Sequence, residues 1–356
     1  MKRYRVAQVG AGNRGVIHLD GFRQLADRFE VVALCDLDAA KLARAAERFA
    51  IPATYADADA MLAATRPDVF CFVTQPHVRL PMVELAVRHG VRGLAFEKPM
   101  ATSLAEARAI ADLCAKSHMK AVVSHQQKYL DSMQKLKSLV DAGEVGEVSL
   151  IRATCVPWLS QLGTHYMDYT LWINGGHPAR WVVGHVHGKG KLGDSHPSPD
   201  FILGEMLFDN GVRATIECGY LSPHHMDADH FWVDDRLTVY GSRGYAWADT
   251  NNRWQACTRS SGGEAIGGEG EEWLAQERTH LQPLYLADFA DWLDDDARVH
   301  PCHVGLAYHG YEILEGLCLS ALEHTRIDLP LDARGRGDLN ERLRRELPDV
   351  PPLPGT

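Results

Sequence analysis

The sequence predicts two domains: an α/β domain with a doubly wound parallel sheet, followed by an α+β domain with a large, mostly antiparallel sheet. Over residues 1–124, short apolar runs alternate with helix-like segments, as in parallel sheets with crossover helices. Beyond about residue 146, longer apolar runs follow one another directly, which favours antiparallel pairing. The chain of 356 residues also exceeds the length that one core usually covers. We therefore assign residues 1–124 to the first domain, 125–335 to the second and 336–356 to a proline-rich tail.

A glycine-rich loop follows the first predicted strand, residues 6–9. It reads Gly10-Ala11-Gly12-Asn13-Arg14-Gly15, and a second apolar run, residues 31–35, ends in Asp36. In this context the first glycine makes a tight turn, the second lets backbone approach a pyrophosphate, and the third packs helix on strand. The phosphates would lie on the amides of the helix N-terminus. The motif predicts a dinucleotide site contacted by Gly10, Gly12, Asn13, Arg14, Gly15 and Asp36.

Asp36 bears on the choice between the two nicotinamide dinucleotides. A carboxylate accepts hydrogen bonds from ribose hydroxyls and repels a 2′-phosphate. Leu37 follows it, so no arginine at that point would hold a phosphate. The sequence therefore favours NAD over NADP.

The rest of the first domain repeats the strand–helix rhythm. A buried strand over 68–73 ends at Thr74-Gln75-Pro76, and a strand over 93–96 ends at Glu97-Lys98-Pro99. Ligands of such sheets bind beyond the carboxyl ends of the strands, where these segments and the glycine loop all fall. The further predicted elements are a helix over 80–89 closed by Gly90, a helix opened by the capping box Ser103 to Glu106, and a strand over 121–123.

The second domain is predicted from one helix and a series of strands. The helix covers 165–173, and Asp209-Asn210-Gly211 between two strands is a hairpin signal. Residues 260–272 are rich in Gly and Glu and are predicted as a surface loop. The strands are predicted over 180–187, 201–208, 212–219 and 231–240, and two closing helices over 284–294 and 303–324.

Composition excludes several classes of partner. The net charge of -10, with no basic block, argues against nucleic acid and anionic membrane. No uninterrupted apolar segment reaches the roughly 18 residues of a membrane helix, and the N-terminus lacks the pattern of a signal peptide. The eight cysteines are scattered singly, which is typical of reduced thiols in a cytoplasmic protein.

With these motifs in order, the chain resembles the glucose–fructose oxidoreductase/inositol dehydrogenase (Gfo/Idh/MocA) family over roughly residues 4 to 330. Further matching parts are residues 141–148, His165 with Asp168, and residues 327–330. The resemblance implies a Rossmann domain, a C-terminal domain with an open-faced sheet, and a homodimer or homotetramer formed through that sheet. It also adds to the cofactor contacts the strand-end residues Thr74, Gln75, Pro76, Glu97 and Lys98.

Lys98 matches the catalytic lysine of that family. Hydride transfer needs a nicotinamide held against a carbinol carbon and a group that takes the hydroxyl proton. A lysine beside a positively charged nicotinamide has a lowered pKa, which makes it a better proton acceptor near neutrality. The alternative is an ordinary surface lysine after a strand.

His165 and Asp168 lie three residues apart, so a helix places both on one face. The histidine could relay a proton or bind a sugar hydroxyl, or it could be a core histidine capped by a carboxylate. The family often carries an aspartate four residues before this histidine, whereas this chain has Gln161. Because an amide cannot act as a base, the proton chemistry is expected to rest on Lys98 with His165, or the reaction differs from simple alcohol oxidation.

Other departures lie near the expected substrate. The family's usual Thr-Pro-x-x-x-His here reads Thr74-Gln75-Pro76-His77-Val78-Arg79. A segment that usually carries an arginine holds Gln126 and Lys128, which are plausible substrate contacts. Trp158 could stack on a sugar or lie in the core. The predicted substrate contacts are Lys98, Gln126, Lys128, Trp158, Gln161, His165 and Asp168.

No metal site is predicted, although histidines cluster at residues 185 and 187 and at 224, 225 and 230. Catalytic zinc needs three ligands at a definable spacing, and these segments do not provide it.

The sequence leads to an NAD-dependent dehydrogenase acting on a secondary hydroxyl of a sugar, sugar derivative or polyol. The alternative is an NAD-dependent glycoside hydrolase that works by transient oxidation, elimination, water addition and re-reduction, as some family members do. A third possibility is a nucleotide-sensing protein without turnover, against which Lys98 and His165 speak.

Overall fold

The computed structural model describes residues 2–226, 231–332 and 338–349. The chain forms two compact units. The first contains the chain up to Tyr129 together with Leu274–Gly305, and the second contains Leu130–Trp273 and the chain from Leu306 onward. In the described part of the chain, no helix has the length and apolar character needed to cross a membrane.

The first unit contains a six-stranded sheet in which every pairing is parallel. Its strand order, β3-β2-β1-β4-β5-β6, reverses direction beside β1, which is the doubly wound arrangement of dinucleotide-binding domains. This confirms the predicted fold of the N-terminal half. The strands are β1 (Tyr4–Val9), β2 (Phe29–Cys35), β3 (Thr54–Tyr55), β4 (Val69–Phe72), β5 (Gly93–Phe96) and β6 (Lys120–Val123).

Helices connect these strands, and polar side chains begin several of them. The Asp38 carboxylate accepts the backbone N–H groups of residues 40 and 41, and Ser103 accepts that of Glu106 at 3.3 Å. The predicted capping box is only half formed, because the Glu106 carboxylate accepts the N–H of Thr102. The connecting helices are α1 (Asn13–Gln24), α2 (Ala39–Phe49), α3 (Ala58–Thr65), α4 (Arg79–Arg88) and α5 (Leu104–Lys116).

The second unit contains a nine-stranded sheet in the order β14-β13-β12-β11-β7-β10-β9-β8-β15. The pairing of β10 with β7 is parallel and the other pairings are antiparallel. The strands are β7 (Val148–Cys155), β8 (Ala179–His187), β9 (Phe201–Phe208), β10 (Arg213–Gly219), β11 (Asp235–Gly241), β12 (Gly244–Ala248), β13 (Trp254–Cys257), β14 (Ala265–Gly268) and β15 (Ile327–Asp328).

One face of this sheet is buried and the other is open. Along β10, Ala214, Ile216 and Cys218 are buried, while Arg213 is exposed. Because side chains alternate across a strand, the intervening positions form the second face, which carries the ion pair between Arg152 and Glu217. This confirms the predicted open-faced, mostly antiparallel sheet. The later helices of the chain are α6 (Asp131–Asp141), α7 (Thr164–Ile173), α8 (Trp273–Gln276), α9 (Gln282–Asp294), α10 (Val304–Glu323) and α11 (Leu339–Glu346).

Two predicted elements of the second domain differ in part from the structure. The strand expected over 231–240 begins only at Asp235, because Phe231–Val233 forms a turn and Asp234 accepts the N–H of His225. The loop expected over 260–272 contains β14, which pairs with β13 although its residues are exposed. Backbone pairing outweighs the weak strand propensity of that Gly-rich segment.

The ends of the predicted domains also differ from the structure. Residues 274–305 belong to the first unit, where Arg28 pairs with Asp291 and Asp294 of α9. The expected proline-rich tail over 336–356 includes α11, whose first turn is capped by the Asp338 carboxylate. Residues 333–337 and 350–356 lie outside the described residues.

Candidate active site

The glycine loop of the first unit has a geometry that larger residues would disrupt. Gly10 has φ of 100°, and a Cβ there would lie 2.4 Å from the Val73 carbonyl oxygen. A Cβ at Gly15 would lie 2.1 Å from the Gly10 carbonyl oxygen. Among the described residues no atom lies within 4 Å of a Cβ built on Gly12, so this glycine borders open space. The loop therefore has two packed glycines and one accessible glycine, as close approach of a pyrophosphate requires.

Asp36 is held beside this loop. Its Oδ2 accepts the backbone N–H of Ala11 at 2.7 Å, and its Oδ1 accepts that of Asp38 at 2.8 Å. These bonds orient the carboxylate at the end of β2, where the ribose of a dinucleotide is bound in this fold.

A groove of about 490 Å³ lies along the loop. Besides loop residues such as Gly12 and Asn13, three cationic side chains of α2 line it: Lys41, Arg44 and Arg48. The residue after Asp36 carries no positive charge, but the following helix brings positive charge to the groove. These cations are suited to a negatively charged ligand.

Lys98 is the second residue after β5, and a cis peptide bond joins it to Pro99. Burial, together with the positive charges of Arg14 and Arg79, lowers the pKa of Lys98 to about 8. The carboxylates of Glu97 and Glu277 oppose this shift. A lysine with this pKa has a far larger neutral fraction near neutral pH than an ordinary lysine and can accept a proton.

Glu97, the residue before Lys98, is buried in a polar network. Its carboxylate forms a hydrogen bond of 2.9 Å with His18 Nε2. Burial opposes ionisation of Glu97, but His18, Arg14 and Lys98 outweigh it and lower its pKa to about 2. The carboxylate is therefore charged at every working pH and is not a proton acceptor.

Glu277, which sequence analysis did not single out, contacts two predicted site residues. Its carboxylate pairs with Arg14 of the glycine loop and accepts a hydrogen bond of 3.1 Å from Gln126 Nε2. It begins a π-helical turn over Glu277–Leu281 and is 4% exposed. Such turns often occur at functional sites. No motif links residue 277 to the loop, since 263 positions separate it from Arg14.

The strand-end segment Thr74-Gln75-Pro76 follows β4. The Thr74 carbonyl accepts a hydrogen bond from buried Arg79, which also donates to the Lys98 carbonyl. The Thr74 hydroxyl oxygen is buried and has no hydrogen-bonding partner among the described residues. A buried polar atom of this kind indicates a place for a ligand.

The predicted substrate contacts Gln126 and Lys128 differ in their surroundings. Gln126 donates to Glu277, and its Oε1 is buried without a hydrogen-bonding partner in the part of the chain that the structure describes. Lys128 is 0% exposed, and its Nζ donates to the Pro301 carbonyl at 2.6 Å. Lys128 thus makes a structural hydrogen bond, whereas Gln126 has a buried hydrogen-bond acceptor, Oε1, that no described residue donates to.

Helix α7 of the second unit carries His165 and Asp168, and both are buried. His165 Nδ1 lies 2.9 Å from the Tyr169 hydroxyl. The helix follows a π-helical turn, Leu159–Gly163, that contains Gln161. It is anchored to the sheet because Tyr166 donates to the buried Asp235 carboxyl group, whose pKa burial raises to about 7.

Trp158 lies in an aromatic cluster of the second unit. Its ring centroid is 6.3 Å from that of Phe231 and 5.4 Å from that of Trp232. Lys191 Nζ lies 4.2 Å from the centroid of the same indole. These contacts support the packing role that the sequence left open for Trp158, while Phe231 and Trp232 are each 39% exposed.

Two of the histidines considered for a metal have hydrogen-bonding partners in the protein. His224 Nδ1 lies 2.6 Å from Asp234, and His225 Nε2 lies 2.5 Å from Thr154 Oγ1. His230 lies outside the described residues. Within residues 2–226, 231–332 and 338–349, no group of three His, Cys, Asp or Glu side chains is arranged to hold a metal ion.

The structure thus groups the predicted residues by unit. The glycine loop, Asp36, Thr74, Glu97, Lys98 and Gln126 lie in the first unit, and Trp158, Gln161, His165 and Asp168 lie in the second.

Comparison with known families gives two matches. Residues 4–125 match the model described as "Oxidoreductase family, NAD-binding Rossmann fold", and residues 133–247 match the "GFO/IDH/MocA C-terminal domain". Together these matches span about two thirds of the chain. The first unit therefore contains an NAD-binding Rossmann domain, which confirms the predicted cofactor.

The similar characterised proteins include sugar dehydrogenases. The D-apiose dehydrogenase of Paraburkholderia graminis is 28% identical over 62% of this chain and 62% of its own length. The D-glucoside 3-dehydrogenase of Escherichia coli is 25% identical over 61% of this chain and 70% of its own length. The chain therefore spans less than two thirds of the apiose dehydrogenase that it matches.

Solved structures share the fold. A levoglucosan dehydrogenase in complex with NADH and L-sorbose has a TM-score of 0.77 at 15% identity, covering 93% of this chain and 100% of that chain.

Proposed function

Since this chain belongs to the GFO/IDH/MocA oxidoreductase family, we propose that it is an NAD-dependent dehydrogenase of a sugar, sugar derivative or polyol. The observation that carries the proposal is Lys98, a lysine of lowered pKa at the end of β5. Arg79 connects it to Thr74, and the neighbouring Val73 packs against Gly10 of the dinucleotide loop. Lys98 therefore lies at the same sheet edge as the cofactor motif.

The residues of the first unit fit the cofactor. Gly12 borders open space, and the Thr74 hydroxyl is a buried polar atom without a hydrogen-bonding partner in the described chain. When bound, NAD⁺ would supply the acceptor for the hydride of the carbinol carbon. Gly10, Gly12, Asn13, Arg14 and Gly15 would hold its phosphates, Asp36 its ribose, and Thr74, Gln75, Pro76 and Glu97 the nicotinamide end.

Lys98 supplies the proton chemistry. Its neutral amine accepts the proton of the substrate hydroxyl while the C–H bond at the same carbon breaks, leaving a ketone, NADH and the lysine ammonium. Glu97 stays ionised and orients His18 and the charges around the lysine. At pH 7 about one tenth of Lys98 is neutral for a pKa of about 8.

The names of the relatives support a carbohydrate substrate, since two of them are D-apiose dehydrogenase and D-glucoside 3-dehydrogenase. We extend the proposal to Gln126, Lys128, Trp158, Gln161, His165 and Asp168 as substrate contacts, with His165 as a second proton carrier. The buried acceptor of Gln126 supports its part in this set.

The open face of the second sheet supports a homodimer or homotetramer. It carries the partly exposed apolar side chains Val183, Leu203 and Tyr240, at 38%, 40% and 39% exposure. Partly exposed apolar groups interspersed with ion pairs are typical of association surfaces. The free thiols at all eight cysteine positions support a reducing, cytoplasmic compartment.

The test is to incubate the purified protein with NAD⁺ and a panel of D-apiose, D-glucose, myo-inositol and p-nitrophenyl glycosides. NADH absorbance that scales with one substrate and disappears in Lys98→Met supports the dehydrogenase. Release of p-nitrophenol without net NADH would instead favour a glycoside hydrolase, for which Gln161 in place of an acidic residue is the motivation. Binding of NAD⁺ with neither product would favour a sensor.

A further inference from the structure

Arg79 is a buried cation in an unfavourable place. It is the first residue of α4 and is 1% exposed. The N-terminus of a helix carries partial positive charge, so a cation there is disfavoured. Burial also lowers the pKa of Arg79 to about 9, against the opposing charge of Glu97. The position therefore lowers stability in two ways, and a functional reason for the residue is worth seeking.

The hydrogen bonds of Arg79 join two strand ends. Its Nη2 donates to the Thr74 carbonyl at 3.1 Å and to the Lys98 carbonyl at 3.0 Å. The guanidinium thus connects the segment after β4 to the segment after β5. Its Nε and Nη1 are buried and have no hydrogen-bonding partner among the described residues.

Connecting two carbonyls does not require a charge. A neutral amide side chain can donate two hydrogen bonds, and it avoids the cost of burying a cation with incomplete partners. The hydrogen bonds alone therefore do not explain an arginine at this position. What the arginine adds is a positive charge close to Lys98.

Among the described residues, charged groups from several elements act on the Lys98 ammonium. Glu97 belongs to the same strand end, Arg14 comes from α1, Arg79 from α4 and Glu277 from the turn before α9. His18 of α1 lies beyond Glu97. Arg79 is thus one of the cations that oppose the carboxylates of Glu97 and Glu277. Without its charge the protonated lysine would be favoured more strongly.

We infer that Arg79 is a positioning residue for Lys98, which fixes its backbone through the carbonyl and favours the neutral amine through a buried positive charge. The catalytic meaning of this inference rests on the proposed function, but the effect on the lysine exists without a substrate. Substitution of a like charge by a neutral group is expected to raise the Lys98 titration midpoint by about 0.5 to 1 unit.

The experiment measures Lys98 directly in the full-length protein. Lysines are reductively methylated with ¹³C-formaldehyde and titrated by NMR, and the Lys98 signal is the one missing in Lys98→Met. Arg79→Gln keeps an amide donor for the two carbonyls but removes the charge, so the midpoint should rise. Arg79→Lys keeps the charge, so its midpoint should stay near that of the wild type. Arg88→Gln on the exposed side of the same helix is the matched control and should cause no shift.

A folded Arg79→Gln protein whose Lys98 midpoint equals that of the wild type would overturn the inference. Circular dichroism and thermal melting establish folding. If Arg79→Gln does not fold, Arg79→His is titrated instead, because its imidazole is neutral above pH 7.5 and should raise the midpoint in that range.

The two hypotheses can fail separately. Turnover that persists in Lys98→Met would contradict the proposed function whatever the NMR midpoint does. An unchanged midpoint in Arg79→Gln would contradict the role of Arg79 even if Lys98→Met abolishes turnover. Where turnover is found, the pH at which its rate reaches half-maximum should move with the NMR midpoint in Arg79→Gln.

Discussion

The first unit carries its candidate residues on loops at strand ends, whereas the second carries them on one helix. Lys98 lies among charged groups that come from its own strand end and from other elements of the first unit, and burial and the nearby arginines lower its pKa. His165 has a hydrogen bond to Tyr169, one turn further along the same helix. This difference indicates that the first unit controls the charge state of Lys98, whereas the second unit fixes the position of the His165 ring. Substitutions in the two units should therefore change activity in different ways.

The largest effect is expected for Lys98→Met. Removing the proton acceptor should lower kcat by roughly a thousandfold, within the range seen for general bases. NAD⁺ affinity, measured by tryptophan fluorescence quenching, should change little because the glycine loop and Asp36 remain. A variant with near wild-type kcat would mean that Lys98 is not the base.

His165→Asn should have the next largest effect. If the histidine only orients substrate or relays a proton, kcat/KM should fall by about a hundredfold, without a change in the pH dependence due to Lys98. Tyr169→Phe removes the hydroxyl that holds the ring and should cost a few-fold. If His165→Asn loses the pH dependence of the rate that arises from Lys98, the second unit also controls the charge state of Lys98.

Glu277→Ala tests whether charge in the first unit depends on a distant segment. It leaves Arg14 and Gln126 without their shared acceptor. Since Arg14 is 38% exposed, we expect a loss of about 2 kcal/mol in unfolding free energy, equivalent to roughly thirtyfold in the unfolding equilibrium. Urea denaturation measures this loss, and Glu269→Ala at the exposed residue after β14 serves as the control. Equal urea midpoints for the two variants would mean that the contacts of Glu277 do not stabilise the protein.

The smallest effect, at about tenfold per pH unit, is the pH dependence of the wild type. Lys98 works as a neutral amine, so protonation inhibits it. Because its pKa is about 8, the rate of hydroxyl oxidation should rise about tenfold per unit below pH 8 and level off above it. Initial rates between pH 5.5 and 9.5 check this. A rate that is still rising towards pH 10.5 would mean that the surroundings do not lower the Lys98 pKa.

Much of the first unit could be predicted because its signals are local. Tight turns and close approaches allow only glycine at residues 10 and 15, and the strands between helices are short continuous apolar runs. The network around Lys98 could not be predicted, since Glu277 joins it from a segment 263 residues after Arg14. Arg79 could be read only as a departure from a motif, because its burial depends on packing of α4.

The second unit was less predictable for the same reason. Helix α7 and most strands follow from periodicity, but β14 pairs through its backbone with little contribution from its side chains. The cluster of Trp158 with Phe231 and Trp232 joins residues more than seventy positions apart.

By itself the sequence determined the dinucleotide motif, the alternation that makes a parallel sheet, and a lysine at a strand end, since each depends on neighbours along the chain. Tertiary structure decided which charges surround that lysine, that residues 274–305 join the first unit, and which of the predicted contacts retain a buried polar atom. The physical reason is that burial and Coulomb interaction depend on distance in space, which the order of residues does not specify.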